Sequence, residues 1–184
     1  MIEIIVPPIR DFNEETGCMV THPGGTLLFE HSLKSISKWE SKFCKPYLHM
    51  DKFTTEEAIY YINCMLVKKA PQILVDYFMM NMPDELGHLW EYVNKSQTAT
   101  WFKDQEGSSR HPNDIITSER LYYWMSALQI NWEAQYWHIS RLLAVIRVGQ
   151  EENKPKKKMK QKDVMAQHTS LNKARRAAAA AKKR

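Results

Sequence analysis

The chain has 184 residues, 43% of them apolar and 11% aromatic, which suits one domain with a proper core plus an extension and excludes a wholly disordered protein. The formal net charge of +5 is unevenly placed. Residues 151–184 carry 12 Lys/Arg against 3 Asp/Glu, whereas the other 150 residues carry 14 against 18. A mildly acidic body thus bears a strongly basic tail. Three cysteines with no paired spacing (Cys18, Cys44, Cys64) fit a reducing compartment. The N-terminal run Ile2–Val6 has no basic residues before it and is cut by Pro7-Pro8, unlike a signal peptide. No window approaches the roughly 18 apolar residues of a membrane span, so a soluble intracellular protein is expected.

The predicted elements begin with a short β-branched strand at Ile2–Val6. Two extended runs flank His22-Pro-Gly-Gly25 and read as a β-hairpin across that turn, with Leu27 and Phe29 on one face. Positive φ at Gly24-Gly25 would account for both glycines. Leu33, Ile36, Trp39 and Phe43 then form one apolar stripe and predict a helix from about Ser32. Thr54 and Glu57 are placed as a capping box, followed by Ala58, Ile59, Ile62 and Leu66 as the expected buried stripe, with Pro71 as a breaker. Ile73–Met80 is apolar without a clean period, leaving strand and helix both open. Pro83-Asp-Glu opens a short helix through Tyr92.

Residues 95–114 read as loop with a strand near Thr98–Phe102. Two helices follow, about 118–129 capped by Thr117 and about 132–148 capped by Asn131 and stopped by Gly149. Trp132, Tyr136, Ile139, Leu143 and Ile146 make a continuous stripe expected in the core. Trp137 and Tyr123 fall on polar faces, Trp137 one turn from Glu133 and Arg141. There a tryptophan is packed by a third element, stacked on Arg141, or left for a partner. The fold class is therefore α+β, mainly α: an N-terminal hairpin (1–31), a helical body (32–150) with an aromatic helical hairpin at 118–148, and a basic, Ala-rich helical arm (151–184).

Catalytic and metal signatures are weak. Glu85-x-x-His88 is a single Glu-x-x-His pair, where di-iron bundles need two such pairs and further glutamates. Cys18-x-x-x-His22 lacks the second half of a zinc site. No nucleophile elbow, zinc-protease helix or phosphate loop occurs, so neither enzyme activity nor a cofactor or metal is expected. The tail, with Lys156, Lys157, Lys158, Lys160, Arg175 and Arg176, invites a nucleic-acid reading. It has no aromatic to stack on a base, and docking on an acidic protein surface needs nothing that it lacks. Asp163 is placed to cap the Ala-rich helix.

Several segments in order, among them LLFEHSLKSISKWESKFCKPYL (Leu27–Leu48), TTEEAIYYINCM (Thr54–Met65), SQTATWF (Ser96–Phe102), ITSERLYYWMSALQINWEAQYWHISRLLAVIRV (Ile116–Val148) and KPKKKMKQKDVMAQHTSLNKARRAA (Lys154–Ala178), resemble tail assembly chaperones of tailed bacteriophages. The resemblance implies a non-catalytic holding protein in the infected cytoplasm, absent from the finished virion. Its implied partners are the long helical tape measure protein and tail tube subunits; self-association is a separate expectation, from the basic tail set against the acidic body. A holding protein needs apolar anchors in a polar rim, which suits Trp137, Tyr123 and the methionine-rich stretch 79–82. No site residue is carried over from the family, and Tyr123, Trp137, Arg141 and the tail cations are expected as partner contacts on their own chemistry. The other readings are a structural tail or connector component, and a nucleic-acid-binding protein acting through the tail.

Overall fold

The computed structural model describes residues 1–13, 17–100, 115–153, 165 and 168–175. The chain divides into two compact units, Met1–Gln150 and Glu151–Arg184.

The first unit opens with four strands, β1 (Ile2–Val6), β2 (Ile9–Asn13), β3 (Cys18–His22) and β4 (Gly25–Phe29). They pair in a nested order, β1 with β4 and β2 with β3, all antiparallel. The two ladders share one register, since Ile2 faces Phe29, Val6 faces Gly25, Ile9 faces His22 and Asn13 faces Cys18. Extended through the gap, that register sets Pro7 against Gly24 and Pro8 against Pro23. Three of those four residues have no N–H to donate, so the ladder breaks there without losing its alignment. The strands thus form one long ribbon with a break, and not a hairpin across His22–Gly25. Gly24 is required by close approach and not by positive φ: a Cβ there would lie 2.8 Å from Pro7 C and from Pro8 N. Among the described glycines only Gly17 has positive φ.

The inner half of the ribbon buries Ile4, Val6, Leu27 and Phe29. Residues 65–67 run beside β4, with Glu30 N–H donating to Met65 O and Val67 N–H to Leu28 O, both at 2.9 Å. The outer half exposes Phe12 and Met19, which face each other across the ladder.

Helix α1 (Leu33–Phe43) is capped by Ser32, whose hydroxyl accepts from Ser35 N–H. Of its predicted stripe, Leu33, Ile36 and Trp39 are fully buried and Phe43 is half-buried against the core. Helix α2 (Thr55–Met65) carries the complete Thr54/Glu57 capping box. Its buried face is Tyr61, Ile62, Cys64 and Met65, rotated from the predicted stripe: Ile59 stays exposed, while Ala58 and Leu66 are half-buried. The ambiguous apolar run forms helix α3 (Gln72–Asn81), and Pro83 opens α4 (Pro83–Asn94). Residues 96–100 are irregular, so no strand starts at Thr98; residues 101–102 lie outside the described residues.

Helix α5 (Ser118–Ala127) begins after Thr117, whose side chain makes no cap bond to the helix backbone. Glu40 of α1 takes that place. Its Oε2 accepts from Ser118 N–H at 2.7 Å, while Oε1 accepts from Tyr47 N–H at 2.9 Å. A carboxylate at a helix N-terminus satisfies an otherwise unpaired donor and complements the macrodipole.

The last aromatic segment is not one helix. A 3-10 turn (Trp132–Tyr136), capped by Asn131, precedes α6 (Ile139–Glu152). Between them His138 bridges to Ser32, and Ile139 N–H donates to His31 O at 2.8 Å. The break turns Trp132 and Tyr136 outward, 55% and 57% exposed, so neither belongs to the core; Ile139 and Ile146 are buried and Leu143 half-buried. Gly149 lies within α6, which runs on to Glu152.

In the second unit residues 168–175 are helical and exposed, and the Thr169 hydroxyl donates to Met165 O at 2.8 Å. Asp163 and the lysine run fall outside the described residues.

Candidate partner-binding surface

Helices α2, α3 and α4 enclose a cavity of about 500 Å³ open to solvent. Its walls are Thr55, Ala58, Ile59 and Ile62 from α2, Asp76, Met79 and Met80 from α3, and Leu86 and Trp90 from α4. The sequence explains the shape. Positions 55, 58, 59 and 62 share one face of α2, and 86 and 90 are one turn apart on α4. The α2 stripe that reads as core is therefore this groove's wall. Met80 is 82% exposed and Ile59 43% exposed, a large apolar surface left in water.

The three helices carry Glu56, Glu57, Asp76, Asp84, Glu85 and Glu91 and no lysine or arginine. Glu57 is turned inward, 3% exposed, and ion-paired to Lys45 at 2.6 Å. That hydrogen bond, with the Thr54 backbone amide, holds its carboxyl below the usual range. Asp76, in the groove wall, accepts from Gln72 Nε2 at 2.8 Å. His88 Nδ1 lies 3.5 Å from Glu85 Oε2 on the exposed side of α4. Among the described residues no three His, Cys, Asp or Glu side chains gather as a metal site. Cys64, which burial pushes up to about 11, stays a thiol at neutral pH.

Gly87 stands between Leu86 and Trp90, in the second turn of α4, and a Cβ there would meet nothing within 4 Å. Glycine inside a helix costs about 1 kcal/mol relative to alanine. Among the described residues no neighbour requires it.

A buried polar layer lies elsewhere in the same unit, where β4 leads into α1 and meets α6. His31 Nδ1 is 2.5 Å from the Tyr61 hydroxyl, and its ring is 5.1 Å from that of His138. His138 Nε2 donates to Tyr92 O at 3.3 Å, so Nδ1 accepts from the Ser140 hydroxyl at 2.8 Å. That hydroxyl in turn accepts from Gln97 N–H. Burial, then the nearby His138, pushes His31 down to about 3, and burial lowers His138 as well. The Tyr92 hydroxyl donates to Glu30 at 2.7 Å, and the Met1 amino group pairs with the same carboxylate at 2.6 Å. Every buried polar side-chain atom among the described residues has a partner.

The residues expected at a partner surface are dispersed. Tyr123 is 70% exposed on α5. Trp137 is half-buried against the core, with the Arg141 guanidinium 4.6 Å above its ring, so stacking is what holds it. Arg175 is exposed on the tail helix, whereas Lys156, Lys157, Lys158, Lys160 and Arg176 lie outside the described residues. Of the stretch 79–82, Met79 and Met80 do reach the groove. Gly87 and the missing cations of α2–α4 carried a signal in the sequence: an interior helical glycine, and cation-free runs between Lys52 and Lys68 and between Lys69 and Lys95.

No protein-family model, curated protein or solved structure matches the chain. Among the described residues no helix is long and apolar enough to cross a membrane.

Proposed function

We propose that the chain is a holding protein of phage tail assembly. It keeps the tape measure protein, tail tube subunits, or both, soluble in the cytoplasm of the infected cell by reversible contacts and without catalysis. The observation that carries the reading is the open apolar groove of α2–α4, with Met80 and Ile59 in water. A protein that holds aggregation-prone chains presents adaptable apolar walls, and methionine supplies them because its unbranched thioether fits many shapes. Exposed Tyr123, Trp132 and Tyr136 add amphipathic anchors of the kind enriched at interfaces. The resemblance of residues 27–178 to tail assembly chaperones supplies the identity of the partners.

The test is co-expression. Tape measure protein should be insoluble alone and move to the soluble fraction with this chain. No rescue with full-length chain in excess sinks the reading. A stoichiometric amount of the chain in purified virions would favour a structural tail component instead.

A further inference from the structure

We infer that the α2–α4 groove is a receptor for a foreign amphipathic helix that carries lysine or arginine beside its apolar face. The inference rests on the holding reading for the groove's purpose, but its chemistry comes from three independent features of the site. The lining is apolar and remains open, with Met80 82% exposed, whereas a small-molecule pocket buries most of its ligand. A helix laid in a groove covers such a surface through anchors at i, i+3 or i+4 and i+7.

The second feature is charge. Asp76 is itself in the wall, while Glu56 and Glu85, each next in sequence to a lining residue, stand about a quarter turn away at its rim; Asp84, two residues before Leu86, faces away from it. With no lysine or arginine on the three helices themselves, the acids there favour an approaching cationic helix over an acidic one. The third feature is Gly87. A Cβ there would meet nothing within 4 Å, and the residue is exposed on α4 one turn before the groove residue Trp90, beside the lining and not in it. A bare backbone there lets a second helix approach α4 closely, which gives the destabilising residue a use.

The test measures anisotropy of a labelled 18-residue Leu/Lys amphipathic peptide against the full chain, with a Leu/Gln peptide of identical apolar pattern for comparison. Because the 150-residue body is mildly acidic as a whole, it is the loss of the preference in the groove charge variant that assigns the field to the groove. Leu/Lys should bind at least about 10-fold more tightly than Leu/Gln at low salt, and the preference should shrink as salt is added. Gly87→Gln should weaken binding about 5-fold or more while raising the melting temperature, a combination that simple loss of structure does not produce. Met80→Ser should weaken it too, at a position too exposed to matter for folding. Asp76→Asn with Glu85→Lys should abolish the cationic preference.

Equal affinity for the two peptides overturns the inference, as does unchanged binding by Gly87→Gln. Binding seen only after deletion of residues 154–184 also overturns it, by assigning the groove to the chain's own basic tail. Neither tape measure nor tube protein enters this assay, so its failure is distinct from a failure of the solubility rescue.

Discussion

Glu40 joins three segments through one carboxylate, binding the backbone of Tyr47 and Ser118 while anchored on α1. Substitution Glu40→Gln keeps one accepting oxygen and leaves a buried N–H facing an amide. Loss of about 2 kcal/mol is expected, read as a lower denaturation midpoint with an unchanged m-value; an unaltered midpoint would refute this role. His31 gives the fold a pH dependence with a definite sign. It is neutral when buried, with its pKa pushed down to about 3 from 6.5, so as pH falls the unfolded chain takes up the proton first. The stability it supplies is full above about pH 6.5 and declines toward about pH 3, by up to about 1.4 kcal/mol per pH unit for this proton. His138 shifts the same way and adds to the slope. Glu57, held below the usual carboxyl range by its hydrogen bonds to Lys45 and Thr54, contributes above that range and loses its contribution further into acid. Urea midpoints between about pH 7.5 and pH 4.5 should therefore fall less steeply in His31→Gln than in wild type. Equal slopes would mean that His31 is already charged in the fold.

At the scale of elements, what the sequence made legible is what is local. The Thr54/Glu57 box and the α1 stripe are complete within one or two helical turns, and both are in place. The ribbon was not legible, because pairing Ile2 with Phe29 spans the whole segment, while Pro23-Gly24-Gly25 looks like a turn locally. A proline-rich break in a paired ribbon uses the same residues as a turn. Gly24→Ala should accordingly cost about 1–3 kcal/mol through backbone contact at Pro7-Pro8; thermal melts check it, and a neutral result would count against the nested register. The predicted stripe through Trp132 and Tyr136 failed because the His138 bridge to Ser32 interrupts the helix, a contact between residues far apart in sequence. Trp132→Ser should therefore change stability by less than about 1 kcal/mol, whereas Trp39→Ala should cost about 3–5. Trp39 is fully buried and donates its indole N–H to Glu57 O at 3.0 Å. The groove was half legible for a related reason. An apolar stripe such as Ala58, Ile59 and Ile62 reads as core whether the chain or a partner covers it, and only the packing of α3 and α4 distinguishes the two.

Across the whole molecule, charge and apolar surface are segregated. The cations concentrate in residues 151–184, the body is acidic, and α2–α4 combine that acidity with exposed methionine and isoleucine. An apolar groove beside one sign of charge suits selective but exchangeable binding of helices, which is what holding a long helical chain demands. The most direct measurement is the solubility of co-expressed tape measure protein with wild-type chain and with Gly87→Gln. Wild type should carry it into the soluble fraction, and Gly87→Gln should leave most of it in the pellet while itself melting no lower than wild type. A tape measure protein that stays insoluble with wild type, or is rescued equally by Gly87→Gln, would contradict the account.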